Sequence, residues 1–598
     1  MALHFPILST PCSSSSSSKA FIYYRSFPQR SLTHQCMISS NIKSLANTHS
    51  CEPTTTTIRR SANYQRTIWD FNFLQSLNSD YKGEANKSKI KKLKDEVRSR
   101  LDDGTMDQLS LLELIDDIER LGLGYLFEEE IKKAMDTIVS MEDMQTRTEE
   151  SFHATALLFR LLRQHGYKVH QGMFNHLKDE TGNFKASYDT KGILSLYEAS
   201  HFAVEGESIL EEAKDFTVKA LKEIKGSIEP NLAKQVNHAL EIPLHWRVPR
   251  VEARWYIDIY EKKKNSTAAL IELAKLDFNI VQAIHQEDVA ELSRWWKTLG
   301  LGEEMSFARD SLIQNYLWTM GWNPEPQFSN FRIENAKVCI LLTVIDDMYD
   351  VYGSLEELEL FTDAVERWDL KAMEQLPDYM KICFLALFNS VNEMGYFHLK
   401  EHGIDSIPFL KKAWVVQLKA YLLEAKWYHN NHKTTFEEYL DNAMTTIGNN
   451  LLFTHAFFSL GQTLREDMLD CASQYPSLFH WTSMIVRLAD DFGTSRAELE
   501  RGDVLKSMQS YMQQTGASED VARKHIKNMI SEAWKKVNND LYTNGFLLPQ
   551  PFIMTMINHA RMSICMYQYG DGHAELDDES VHRANSMLFE PIPLSKDA

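Results

Sequence analysis

The stretch LIELAKLDFNIVQAIHQEDVAELSRWW, residues 270–296, decides the fold. Its apolar residues recur at spacings of three and four, the period of one helix face, over a length that ordinary strands do not reach. The same spacing returns in residues 109–123, 155–166, 337–352 and 522–541. Alternating apolar and polar runs bounded by turn pairs are hard to find, so the class is all-α. Breaks fall where Gly, Pro or charge clusters interrupt, at 86–92, at Glu229-Pro230 and at KKKNS, residues 262–266. The last is the expected domain boundary. It separates residues 59–265 from residues 266–598, each long enough for its own helical core, and the absence of a fixed internal period disfavours a solenoid.

Composition narrows the function. The chain has 598 residues, 43% hydrophobic and 25% charged, with only 24 Gly and 16 Pro, which fits a large multidomain protein and not disorder or collagen. Lys and Arg number 64 against 83 Asp and Glu, a net charge of −19, which argues against a nucleic-acid partner or stable association with an anionic membrane. An anionic ligand therefore needs a local basic pocket or a metal bridge. The seven Cys form no CxxC pair, so reduced thiols are expected and not a disulfide or zinc framework. Residues 1–51 contain no Asp or Glu, thirteen Ser and four basic residues, Lys19, Arg25, Arg30 and Lys43. That is the composition of an organelle transit peptide. Residues 1–58 are thus expected to be a plastid leader, and no window approaches the roughly 20 apolar residues of a membrane span. The expected mature protein is a soluble stromal enzyme, monomeric or homodimeric.

Two acidic arrays carry the chemistry. In Val344-Ile345-Asp346-Asp347-Met348-Tyr349-Asp350, Asp346 and Asp350 are four apart and share a helix face, where their oxygens suit hard divalent cations. Alone, this motif reads as readily as a solvated acidic patch. A second array about 140 residues later changes that balance: Asp490, Thr494 and Glu498 fall at i, i+4 and i+8, aligning a carboxylate, a hydroxyl and a carboxylate. Arg309, Arg487, Arg501 and Lys506 stand near these arrays in sequence and suit a diphosphate. The HNNH of residues 429–432 and the lone GDG at 570 have neither the ligands nor the glycine spacing of a metal or nucleotide site.

At these residues the chain resembles the plant class I terpene synthases, monoterpene synthase type, whose metal motifs are DDxxD and (N/D)DxxSxxxE with Thr allowed for Ser. The resemblance runs from Arg59 to near the C-terminus and includes Arg59-Arg60 followed by eight residues and Trp69, LRQHGY from Leu162, Ile242-Pro243-Leu244-His245-Trp246-Arg247, and YDVYGSLEELELFTDAVERWD from Tyr349. It implies an N-terminal relic α-barrel without catalytic residues and a C-terminal catalytic α-barrel. It implies three Mg²⁺ or Mn²⁺ ions held by Asp346, Asp350, Asp490, Thr494 and Glu498, with Asp347 as a partial or outer ligand. Arg309, Arg487 and Lys506 would hold the diphosphate of geranyl diphosphate, and ionisation would yield a C10 olefin or alcohol, cyclic or acyclic. Trp318 and Tyr567 look like pocket aromatics, Cys339 and Asn449 like pocket residues, and Tyr567 and Asp571 like proton acceptors on a closing loop. Arg59, Arg60 and Trp69 resemble the strip that folds over the site's mouth and is associated with isomerising the substrate to its tertiary linalyl form.

The chain departs from that pattern at residues 307–314, where Ser311 and Gln314 replace the second Arg and the Glu of RDRxxE. A hydroxyl cannot match an arginine's reach or charge, so weaker diphosphate retention is expected, with either early release of an acyclic product or only a lower turnover. No DxDD tetrad is present, which disfavours cyclisation started by protonation. Prenyl-chain elongation would need a second DDxxD, and a sesquiterpene synthase would normally lack the leader and the arginine pair. Isoprene synthase, sesquiterpene synthase and a catalytically impaired isoprenoid-binding homologue are the alternatives. The five intact metal oxygens argue against the latter.

Overall fold

The computed structural model describes residues 59–140, 151–185, 189–224, 228–460, 468–469, 472, 476–543, 548–573 and 577–594. The expected leader, residues 1–58, lies outside them. Helices dominate, as the periodicity predicts; among the described residues the only β pairing is an isolated bridge between Lys178 and Phe184. No helix among them is long and apolar enough to cross a membrane. Cys339, Cys383 and Cys565 are buried free thiols.

Seven helices position the site: α1 (Ala268–Leu299), α2 (Leu312–Trp322), α3 (Ser329–Asp347), α4 (Ile407–His429), α5 (Asn449–Ser459), α6 (Ser477–Arg501) and α7 (Gln550–Met566). The stretch quoted first lies within α1, which ends at Gly300 with φ 66°, a left-handed cap that glycine adopts without steric cost. Helix α3 passes directly into one π-helical turn, Met348–Tyr352. The chain restarts at Ser354, whose hydroxyl and Glu357 form a reciprocal cap on helix Leu355–Arg367. Before α5, Gly448 has φ 86°, and a Cβ there would stand 2.7 Å from Leu342, so the break tolerates only glycine.

Residues 262–266 form a tight turn between helix Pro249–Glu261 and α1, with Lys263 N–H donating to Tyr260 O at 2.9 Å. Lys263 Nζ also pairs with buried Asp117 at 2.7 Å. Packing is continuous past this turn. One core gathers Leu112, Phe159 and Phe174 of the N-terminal half with Leu273, Tyr316 and Ile340 of α1, α2 and α3; the other gathers Trp318, Val344, Trp414 and Phe552. Helices α2 and α3 therefore face both cores.

A buried ion pair locks α1, α2 and α3 together. Asp288 accepts Arg332 Nε at 2.8 Å and Tyr316 OH at 2.8 Å, and Arg332 Nη1 donates to the carbonyls of Asn323 (3.0 Å) and Glu325 (2.7 Å). Both charged side chains are at most 1% exposed. Breaking one member of such a pair leaves a charge without compensation, a cost of about 3–5 kcal/mol. Asp288→Ala is expected to lower the urea unfolding midpoint correspondingly; an unchanged midpoint would remove this pair from any account of how the helices are held.

Candidate active site

The two acidic arrays open on one cavity of about 1040 Å³, mouth included. Asp346 comes from the last turn of α3 and Asp350 from the π-helical turn, while Asp490, Thr494 and Glu498 come from α6. Arg309, Arg487 and Lys506 line the same cavity. Among the described residues, Tyr64 is the only lining residue that precedes residue 309. The side chain of Arg501 lies outside the described residues.

The second aspartate of each array does not line this cavity. Asp347, 1% exposed, accepts Arg309 backbone N–H at 2.8 Å and Arg309 Nε at 3.1 Å, and Arg309 Nη2 lies 2.6 Å from Asp346. Asp347 is thus a buried anchor for Arg309 and not a group facing the cavity, a position that fits the outer of the two roles expected of it and not that of a direct ligand. Asp491, 0% exposed, plays the parallel part: it accepts Tyr439 OH at 2.9 Å and Ser507 N–H at 3.1 Å, and pairs with Arg487 at 2.8 Å. Arg487 also pairs with Asp490. Burial acts to discharge both guanidiniums, but the carboxylates outweigh it and hold each well above its ordinary pKa.

Lys506 is buried between Glu424 (3.2 Å) and Glu498 (3.6 Å), and Thr494 Oγ1 donates to Glu498 at 2.9 Å. Burial, and then the neighbouring Asp346, hold the Asp350 carboxyl well above the usual carboxylate range. Among the described residues no three carboxylates, imidazoles or thiols converge closely enough to ligate one ion; the acidic side chains are bonded instead to Arg309, Arg487 and Lys506. The donors are nonetheless all oxygen, split between two walls, which suits hard divalent cations that complete their shells with phosphate oxygens. The repulsion felt by Asp350 is what such cations relieve.

The other end is aromatic and apolar. Trp318, Trp322, Cys339, Leu342, Leu452 and Tyr567 line it, and the Trp318 ring stands 5.0 Å from His559 and 6.2 Å from Tyr567. Trp318 Nε1 donates to His573 Nδ1 at 3.3 Å, and the other ring nitrogen faces Thr343 Oγ1 at 3.4 Å. Burial pushes His559 and His573 down to about 3, so both are neutral at pH 7. Asp571 lines the cavity and accepts His573 backbone N–H at 3.2 Å. Asn449, expected in the wall, stands behind it: its Oδ1 pairs with His559 Nε2 at 2.8 Å because the break at Gly448 turns the start of α5 toward α7. Ser311 and Gln314, each 5% exposed, do not line the cavity. The Ser311 hydroxyl accepts Asn315 Nδ2 at 2.9 Å.

Arginines close the rim. Arg59 forms a two-point bridge to Glu357 at 2.8 Å each and donates to Tyr352 O at 3.0 Å, with its guanidinium 4.4 Å over the Tyr352 ring. Arg60 donates to Asp350 O at 2.9 Å and to Asp503 at 2.7 Å. Trp69 is elsewhere, 6% exposed in the N-terminal core, its indole N–H on Asn585 at 3.3 Å and its ring beside Phe589. It anchors the strip instead of covering the mouth. Sequence reasoning missed Tyr64, Tyr421, Glu424, His559 and His573. His573 and Tyr64 lie inside stretches it had singled out, whereas Tyr421 and Glu424 carried only the weak signal of polar atoms on an apolar helix.

The chain matches two family models, "Terpene synthase, N-terminal domain" over residues 68–240 and "Terpene synthase family, metal binding domain" over residues 297–536. It is 50% identical over 567 residues to the chloroplastic myrcene synthase of Quercus ilex, covering 94% of this chain and 93% of that one. Among solved structures it is similar to limonene synthase with 2-fluorolinalyl diphosphate (42% identity, TM-score 0.87, 90% of this chain and 100% of that one). It is also similar to isoprene synthase from grey poplar leaves in complex with three Mg²⁺ ions and dimethylallyl-S-thiolodiphosphate (45% identity, TM-score 0.82, 88% and 99%). With both family domains matched in order and half of all residues shared with a relative along nearly its whole length, the chain belongs to the terpene synthase family.

Proposed function

We propose that the protein converts geranyl diphosphate into a C10 monoterpene and free diphosphate in the plastid stroma. One observation carries the reading: two acidic arrays and three basic side chains open on the polar end of a cavity whose other end is aromatic. The relative named myrcene synthase, chloroplastic, and the limonene synthase structure with 2-fluorolinalyl diphosphate support the substrate class; the word chloroplastic in the former and the acid-free leader support the compartment.

Asp346, Asp350, Asp490, Thr494 and Glu498 would hold Mg²⁺ or Mn²⁺, which when bound supplies Lewis-acid stabilisation of the departing diphosphate. Arg309, Arg487 and Lys506 donate charge-assisted hydrogen bonds to the same anion as the allylic C–O bond breaks. Asp347 and Asp491 keep the two guanidiniums aimed and charged. The carbocation left behind faces the rings of Trp318 and Tyr567, whose π-clouds stabilise positive charge. His559 and His573 are uncharged there and do not repel it. Asp571 is placed to take the terminating proton, while Tyr567, whose phenol burial pushes up, stays protonated. Arg59 and Arg60 hold the Asp350–Tyr352 turn and close the rim against water, which would otherwise quench the cation. Among the described residues, the N-terminal half, to residue 265, supplies this strip and Tyr64 and no other cavity residue.

The direct test is gas chromatography with mass detection after incubating the chain beginning at Arg59, alongside the full-length chain, with geranyl diphosphate and Mg²⁺ or Mn²⁺. A C10 product that disappears with EDTA is expected; no volatile from geranyl, farnesyl or dimethylallyl diphosphate would sink the reading.

Asp350→Asn and Glu498→Gln each remove a donor oxygen worth several kcal/mol in the transition state, so kcat is expected to fall on the order of 10²- to 10³-fold. Retention of more than a tenth of the activity in both would argue that these oxygens hold no metal.

The double variant Arg59→Gln/Arg60→Gln separates isomerisation from the closure and ionisation that both substrates need. Its turnover of geranyl diphosphate is expected to drop at least about tenfold, the equivalent of roughly 1.4 kcal/mol, and further than that of linalyl diphosphate, which needs no isomerisation. An equal loss on both substrates would assign the pair to rim closure or stability and not to isomerisation.

A further inference from the structure

Helix α7 is a wall between two cavities. His559 reaches the active cavity, whereas Gln550, Ile553, Met554, Ile557 and Arg561, at i, i+3, i+4, i+7 and i+11, line a second one that lies against the N-terminal helices. That spacing puts the five on one face, with His559 directly opposite. The second cavity has about 2650 Å³ of space, mouth included. Its lining carries seven Lys or Arg against four Asp or Glu, an excess of positive charge in a chain whose net charge is −19.

Most of those cations are compensated. Arg120 and Arg247 share Glu252 at 2.8 and 2.9 Å, Arg160 pairs with Asp116 at 2.5 Å, and Arg163 pairs with Glu207 at 2.6 Å. Arg561 differs: among the described residues no carboxylate acts on it, whereas Arg250 forms no ion-pair contact there but is steadied by the charges of Asp277 and Glu325. Arg250, 6% exposed, donates Nη2 to Phe278 O at 2.7 Å, and its Nε has no acceptor. Arg561 donates Nε to His245 O at 2.8 Å and Nη1 to Asn558 Oδ1 at 2.9 Å, leaving Nη2 for the cavity. Burial pulls both guanidiniums down to about 10. Charges taken out of water without a counter-charge are costly, and an anion is what offsets that cost.

We propose that this cavity binds a phosphate-type oxyanion through Arg561 and Arg250, the ligand class being a diphosphate group, either free or carried on a prenyl chain. That identity rests on the reaction proposed above; the anion site itself does not. Its position gives it a route to the active cavity. Asn558 Oδ1 accepts a hydrogen bond from Arg561 Nη1 and its Nδ2–H donates to Trp322 O at 2.8 Å, and Trp322 lines the active cavity. An anion drawing on Arg561 therefore loads the wall that shapes the product.

The test is titration calorimetry on the full-length chain in EDTA, with inorganic diphosphate in one arm and uncleavable geranyl thiolodiphosphate in the other. Arg309→Gln/Arg487→Gln serves as the background that removes the active-site guanidiniums. A binding event that survives in that background and weakens roughly 10- to 100-fold in Arg561→Gln, the range for one charge-assisted hydrogen bond, supports the site. Equal affinity in the two arms assigns recognition to the diphosphate group, and binding of the inorganic ion alone assigns it to the released product. Loss of all binding in the Arg309→Gln/Arg487→Gln background, or unchanged affinity in Arg561→Gln, overturns it. Should Arg561→Gln fail to fold, Arg250→Gln carries the same expectation. No turnover is needed, so an enzyme inactive on every prenyl diphosphate could still bind here, and an active one could fail to.

Discussion

Carboxylates gathered inside a protein repel one another strongly, because the low dielectric that lets them grip cations also magnifies their mutual charge. The site resolves this by dividing each acidic array. Asp346 and Asp490 face the cavity, while their neighbours Asp347 and Asp491 turn back into the protein and hold Arg309 and Arg487. The arginines thus reach the cavity already charged and oriented. Asp350, held above the carboxylate range, marks where the compensation by protein cations runs short.

The same arrangement sets the polarity of the whole cavity. Ions and hydrogen-bond donors collect at the end bounded by α3, α4 and α6, and rings collect where α2 meets α7. A reaction that separates an anion from a carbocation needs both ends, and it needs water kept out between them. The rim serves that need by tying the N-terminal strip to the Asp350–Tyr352 turn and to Asp503. Closure and the acidic array are therefore mechanically one unit. Trp69 contributes at a distance, by fixing the strip's far end in the N-terminal core.

Helices α2, α3 and α7 explain why the N-terminal half matters to a cavity it barely lines. Helices α2 and α3 face both cores, so their register is set from both sides. Helix α7 has one face on the active cavity and the other on an arginine-rich cavity against the N-terminal helices. Packing density makes such walls respond as units and not atom by atom.

By itself the sequence determined what depends on local periodicity and spacing. The three-and-four apolar pattern specifies helices, and the i, i+4, i+8 placement of Asp490, Thr494 and Glu498 aligns them on one face whatever surrounds them. The acidic pair at Asp346 and Asp350 and the basic residues at 309, 487 and 506 were legible for the same reason: their residue types are costly to bury and uncommon in such patterns. Tertiary structure alone decided which oxygens face the cavity. Asp346 and Asp347 are adjacent and chemically identical, and helix geometry alone points them roughly 100° apart; only packing decides that Asp346 faces the cavity and Asp347 the backbone of Arg309. It also decided that Asn449 stands behind His559, that Tyr421 and Glu424 join the site, and that Arg561 has no counter-charge among the described residues. Each of these is a property of packing between helices distant in sequence, which spacing along one helix does not encode.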